Sequence, residues 1–247
     1  MLGLPNSTQA CLFDLDGVIT RTASLHAAAW AETFDEVLRA HAARTGEPFV
    51  PFDPVRDYEA YVDGRPRADG ARQFLASREI DLPEGTPQDG PDAETVEGIA
   101  RRKDELVHRL LKERGVAAFE DSVRYVRAVR DAGLRTAVVS SSRHCREVLE
   151  AAGIADLFDV RVDAAVAEER HLRGKPAPDT YLAAAALLGV PAARCAVFED
   201  ALAGVAAGRA GGFGCVVGVD RLGQADALRQ HGADLVVAGL GALLEAR

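Results

Sequence analysis

The chain has 247 residues, of which 48% are hydrophobic and 27% charged, with a formal net charge of −9. That composition is one of a soluble globular chain, long enough for one large core or two smaller ones. It argues against nucleic acid or an anionic membrane surface as partner, and no apolar stretch reaches the length of a membrane span.

The N-terminus, Met1-Leu2-Gly3-Leu4-Pro5-Asn6, has neither a basic n-region nor an apolar h-region, so no secretion signal is expected. Cys11, Cys145, Cys195 and Cys215 are widely spaced and lie mostly in apolar segments. They read as buried thiols in a reducing compartment, which points to the cytoplasm and not to a disulfide framework or a zinc site.

In chain order, an apolar run beginning at Ala10 predicts a buried strand that ends in Asp14 and Asp16. In an open α/β sheet, ligands bind beyond the carboxyl ends of the strands, where both acids would lie. Strand alternation sends the two side chains to the same side. Two carboxylates held that close repel unless a cation joins them, which asks for a hard metal such as Mg²⁺.

Residues 23–115 have a different character. Helices are expected near 24–43, 70–78 and 94–114, with a proline-bearing loop at 46–54 and an acidic loop at 81–92. Thr22, His26 and Trp30 are spaced i, i+4, i+8 and share one helical face. Gly64-Arg65-Pro66-Arg67 forms a loop bearing two arginines. Lys103 is one of only three lysines among 29 basic residues.

From about Glu120, helices alternate with strands near 135–139, 160–162, 195–198, 215–219 and 235–237. Such alternation implies a parallel sheet with right-handed crossovers. The fold class expected is α/β: a three-layer Rossmann-like core of residues 1–22 and 116–247, with 23–115 inserted as a helical domain.

Three of the later segments carry chemistry. The strand ending at Val139 leads into Ser140, Ser141 and Ser142, where a hydroxyl, two backbone N–H groups and the helix expected to start near Arg143 would cradle a phosphate. Gly174-Lys175-Pro176-Ala177-Pro178-Asp179 is a stiff turn presenting Lys175, with Asp179 expected to cap the following helix. A third strand ends in the adjacent acids Glu199 and Asp200.

The order strand–DxD, strand–Ser, loop Lys, strand–Glu-Asp resembles the haloacid dehalogenase superfamily over nearly the whole length. Within it, Phe13-Asp14-Leu15-Asp16-Gly17-Val18-Ile19-Thr20, followed by Thr22, His26 and Trp30, resembles the beta-phosphoglucomutase-like family. The resemblance implies that Asp14 is the nucleophile that forms an aspartyl-phosphate and Asp16 the general acid/base. It implies that Mg²⁺ is held by Asp14, the Asp16 carbonyl, Glu199 and Asp200, while Lys175 and Ser140 stabilise the transferring phosphoryl. It makes the inserted domain a mobile cap in which Thr22 and His26 couple closure to Asp16.

By the same resemblance, Gly64, Arg67 and Lys103 contact substrate, Arg67 gripping a distal phosphate, while Trp30 is pocket wall or core. The reaction implied interconverts beta-glucose 1-phosphate and glucose 6-phosphate through beta-glucose 1,6-bisphosphate. The substrate partner is a small sugar phosphate, and a monomer is the default expectation. The sequence departs from the family at Arg21, at Ala201, at Arg143-His144 beside the phosphate site, and in the long segment Glu168–Arg173. These departures touch the pocket, so the sugar stays open, and hydrolysis of a sugar or disaccharide phosphate is the alternative.

Overall fold

A computed structural model of the protein describes residues 2–245. Its contacts separate two compact units: Ala23–Gly115, and Met1–Thr22 together with Val116–Arg247.

The first unit is helical. Helix α1 (Ala23–Thr45) buries Trp30, Phe34 and Leu38, spaced four apart on one face. Trp30 and Phe34 stack at 4.7 Å, Phe34 meets Phe74 at 4.1 Å, and Phe74 meets Phe52 at 5.0 Å. This aromatic column is the heart of the unit's core.

Helix α2 (Arg67–Ser77) starts three residues earlier than the sequence suggested, so Arg67 stands in its first turn. Pro66, with its fixed φ, leads into that turn, and Asp69 favours it through the helix dipole. A short, wide helical turn at Tyr58–Val62 precedes it, unforeseen in the sequence. Gly70 lets α2 lie against that turn, since a Cβ there would stand 3.1 Å from Val62 Cα. Helix α3 (Val96–Arg114) begins after Thr95, whose hydroxyl accepts the Gly98 N–H at 3.0 Å, and ends on Gly115 at φ +70°.

The second unit is a six-stranded parallel sheet in the order β3-β2-β1-β4-β5-β6. The strands are β1 (Ala10–Phe13), β2 (Arg135–Val139), β3 (Val160–Val162), β4 (Cys195–Glu199), β5 (Cys215–Val219) and β6 (Leu235–Val237). Every residue of β1, β4 and β5 is buried, the mark of strands covered on both faces.

The helices are α4 (Glu120–Asp131), α5 (Cys145–Ala151), α6 (Ala164–Glu169), α7 (Asp179–Leu188), α8 (Leu202–Ala210), α9 (Ala225–Gln230) and α10 (Ala242–Glu245). Alternation along β1 shows the three layers. Ala10 and Leu12 join Tyr181 and Leu188 of α7 in one core. Phe13 points the other way, 6.3 Å from the Tyr125 ring of α4 and stacked at 4.5 Å on its register partner Phe198. The fold is therefore a three-layer Rossmann-like α/β sandwich.

Because β1 lies between β2 and β4, the strand order reverses at β1, and the loops at its carboxyl end stand at the switch point where such sheets bind ligands. Among the described residues, no helix is long and apolar enough to cross a membrane.

Candidate active site

Asp14 follows β1 directly, and its N–H donates to Phe198 O at 2.9 Å, so the sheet itself fixes its position. Asp16 is two residues further on. Its Oδ1 accepts from the Thr22 hydroxyl, and its Oδ2 accepts from Ser140 Oγ at 3.2 Å. Thr22 Oγ1 lies 2.7 Å from Thr20 Oγ1, and Thr20 in turn donates to Leu15 O at 3.2 Å. Asp16 is thus held on both oxygens by hydroxyls of its own unit.

The turn between the acids and these threonines needs Gly17. Its φ is +91°, and a Cβ there would fall 1.7 Å from Asp200 Oδ2.

Lys175 is buried among these groups. Its ammonium donates to Asp14 Oδ1 and Glu199 Oε1, each at 2.5 Å, and to Val139 O at 3.3 Å. All three protons are thereby engaged. Glu199 is fully buried; its Oε1 also accepts from Tyr181 OH at 2.8 Å, and its Oε2 accepts the Ala201 N–H at 3.1 Å. Gly204 makes room for this carboxylate, since a Cβ there would stand 1.8 Å from Glu199 Oε1.

The electrostatics follow from burial. Burial pushes the Asp14 carboxyl well above the usual range, Glu199 and Asp16 push the same way, and Lys175 opposes them. Burial would depress the Lys175 ammonium, but the Asp14 and Glu199 charges raise it above its ordinary value, so it stays protonated. Asp14, Glu199 and Asp200 are all buried and offer oxygens within 4.8 Å of one another. Three buried carboxyl groups share one ammonium away from water, an arrangement that is costly unless further compensated. A hard divalent cation with oxygen ligands fits both the donor set and the charge.

The other residues read from the sequence are distributed less simply. Ser140 reaches Asp16, but the Ser142 N–H donates to Ser140 Oγ at 3.1 Å and Ser142 Oγ accepts from His144 N at 3.1 Å. The cradle expected there is in part turned in on itself, and its helix starts only at Cys145. The Arg143 guanidinium is paired with Glu168, on the long segment that the sequence marked as a departure. Asp179 does not cap its helix. It is the first helical residue, and its carboxylate takes the Arg173 guanidinium at 3.0 Å on each oxygen, a stronger partner than a backbone N–H.

Within the helical unit, Lys103 is buried with its ammonium 2.8 Å from His26 Nδ1 and 5.2 Å from the centre of the Trp30 ring. An ammonium has no lone pair, so Nδ1 accepts and the imidazole proton belongs on Nε2. Arg67 makes a 2.6 Å ion pair with Asp104, the residue after Lys103, and both side chains are about a quarter exposed. Gly64 takes φ +70° in the loop before α2.

The sequence reading gave no role to Tyr181, Thr20 or Gly204. Each left a trace: a tyrosine in an alanine-rich helix, a buried threonine after a DxDG turn, and a glycine in the first turn of a helix.

The model of a family described as haloacid dehalogenase-like hydrolase matches residues 8–212. A beta-phosphoglucomutase of Mycobacterium tuberculosis (strain CDC 1551 / Oshkosh) is 55% identical over 247 residues, covering 99% of this chain and 94% of that protein. A beta-phosphoglucomutase of Bacillus subtilis (strain 168) is 31% identical over 229 residues, covering 93% and 88%. The crystal structure of a beta-phosphoglucomutase from Clostridium difficile superposes with a TM-score of 0.71 at 26% identity, covering 96% and 93%. The chain belongs to the haloacid dehalogenase-like hydrolase family, in its beta-phosphoglucomutase-like branch.

Proposed function

From that family membership, we propose that this chain is a Mg²⁺-dependent sugar-phosphate mutase that interconverts beta-glucose 1-phosphate and glucose 6-phosphate. The observation that carries the proposal is the Lys175 bridge: a buried ammonium on Asp14 and Glu199, with Asp16 beside them in the grip of Thr22 and Ser140.

Asp14 carries the phosphoryl group as an aspartyl-phosphate. It gives that group to the 6-hydroxyl of beta-glucose 1-phosphate, forming the 1,6-bisphosphate, and takes back the 1-phosphoryl group, leaving glucose 6-phosphate. Asp16 accepts the proton of the attacking hydroxyl and returns one to the leaving oxygen. Lys175 sits against Asp14, where negative charge accumulates during transfer, and Ser140 orients Asp16. Asp14, Glu199, Asp200 and the Asp16 carbonyl would hold Mg²⁺, with Glu199 also accepting from Lys175. Bound there, the metal would balance the carboxylates and neutralise charge on the phosphoryl oxygens.

Arg67, at the start of the helix that follows the Gly64 loop, is the proposed cation for the second phosphate, and Lys103, supported by Trp30, is a proposed substrate contact. His26 couples Lys103 to the start of α1, next to Thr22. The Ser141 and Ser142 segment and Arg143 complete the phosphate side. The proposal includes a cytoplasmic, monomeric enzyme activated by beta-glucose 1,6-bisphosphate.

The test is a coupled assay with beta-glucose 1-phosphate, Mg²⁺ and a trace of the bisphosphate, following glucose 6-phosphate and free phosphate together. Glucose 6-phosphate without stoichiometric phosphate is expected. Phosphate release without glucose 6-phosphate would make the enzyme a sugar-phosphate phosphatase instead.

A further inference from the structure

The carboxyl end of β5 carries a loop that the mechanism above does not use. Asp220 Oδ1 accepts the N–H groups of Gly223 and Gln224 at 2.7 and 2.8 Å, which closes Asp220–Gln224 into a tight turn. From this turn two side chains reach back to the site. Arg221 Nε donates to Gly17 O at 3.1 Å, and Gln224 Nε2 donates to Asp200 O at 3.1 Å. The carbonyls they hold belong to the two turns that bear the site's carboxylates.

Arg221 is braced for that reach. In the sheet, β5 lies two strands from β1, so the side chain must cross the end of β4, a span of roughly 10 Å. Its Nη1 donates to Ala238 O at 3.0 Å and its Nη2 to Ser122 Oγ at 3.3 Å. Ser122 Oγ in turn donates to Val18 O at 2.7 Å, so consecutive carbonyls of the Gly17–Val18 turn are both held. The guanidinium lies 3.8 Å from the centre of the Phe119 ring, with Arg21 at 4.4 Å from the same ring. A planar fork of five donors can satisfy all these partners at once, and a lysine cannot.

The two turns cannot move independently. The space where a Gly17 Cβ would sit is filled by the Asp200 carboxylate. We infer that the Asp220–Gln224 loop is a clamp that sets the spacing between the Asp14–Gly17 and Glu199–Asp200 turns, with Arg221 and Gln224 as positioning residues for the carboxylate site. The clamp's geometry stands by itself, while its consequence for metal binding rests on the phosphoryl-transfer reading. Ligand groups set by outer hydrogen bonds bind a metal more tightly than groups left to relax.

Two readouts separate the clamp from that reading. In metal-free protein, amide exchange at Gly17, Ile19 and Thr20 follows the opening of the turn, since these N–H groups close it onto Thr20 O and Leu15 O. Arg221→Met is expected to speed exchange there about tenfold or more. Arg130→Met is the control, because Arg130 also holds three acceptors, Thr136 Oγ1, Leu157 O and Asp159 Oδ1, in another part of the core. It should lower the melting temperature without touching these amides.

Gln224→Leu, which removes a single bond, serves if Arg221→Met does not fold, with faster exchange at Ala201 as its signature. Exchange within twofold of the wild type, or an equal change in Arg130→Met, overturns the clamp. The second readout is Mg²⁺ affinity by calorimetry, expected to weaken about tenfold in Arg221→Met. Faster exchange with unchanged Mg²⁺ affinity and turnover would overturn the positioning role. A wild type that binds no Mg²⁺ would defeat the metal reading, while the exchange result still decides the clamp.

Discussion

The ion pairs proposed to act in the two units are held in different ways. In the sheet unit, the Lys175, Asp14 and Glu199 side chains are 1%, 8% and 0% exposed, and the ammonium bonds each carboxylate at 2.5 Å. In the helical unit, Arg67 and Asp104 are 25% and 27% exposed, and pairs such as Arg78–Asp57 and Arg102–Glu36 also keep part of their surface in water. A buried pair is strongly destabilising to break, because the survivor is left uncompensated. A partly exposed pair is worth less and exchanges partners more readily. Chemistry that needs fixed geometry therefore belongs at the sheet's carboxyl edge, and an arginine that must accept an incoming phosphate belongs in the other setting.

The largest effect should come from Asp14→Asn, which removes the nucleophile. Loss of at least about a thousandfold is expected in both the mutase assay and the hydrolysis of a small phosphate ester. Retained turnover in either would take Asp14 out of the mechanism.

Lys175→Met is the sharpest test of the contrast itself. It leaves Asp14 and Glu199 buried without their shared cation, at a cost of about 3–5 kcal/mol in denaturant unfolding. Added Mg²⁺ should recover part of that loss. A cost below about 1 kcal/mol would mean the bridge is no tighter than a surface pair.

Arg67→Ala should barely change stability, by less than about 1 kcal/mol. It should cut mutase turnover by about tenfold to a hundredfold while leaving small-ester hydrolysis within about twofold. Equal losses in the two assays would remove Arg67 from the second-phosphate role. Tyr181→Phe is the mildest. Removing one hydrogen bond to Glu199 should cost about 1 kcal/mol, read as a drop in the denaturation midpoint.

Much of the core was legible along the chain because buried parallel strands are apolar runs and their ends are abrupt. The strands at 135–139, 160–162, 215–219 and 235–237 are found where the alternation put them, and β4 runs one residue further, to Glu199. Helix starts were less legible. Asp179 looked like a cap until Arg173 proved the better partner, and Arg67 looked like a loop residue until α2 began with it. The first outcome turns on which competing partner is nearer in space, which linear spacing does not carry, while the second follows from Pro66 and Asp69, local signals that start the helix three residues earlier.

By itself, the sequence determined the strand ends, the acids placed on them and the helical character of the stretch between, since each follows from periodicity and local chemistry. Only the tertiary structure decided that Lys175, 161 residues from Asp14, bridges it to Glu199, that Tyr181 completes that carboxylate, and that Arg221 holds the Gly17 turn from two strands away. Those contacts exist because six strands from distant parts of the chain lie side by side with all their carboxyl ends at one edge. Burial there makes each unpaired charge so costly that the partners must meet.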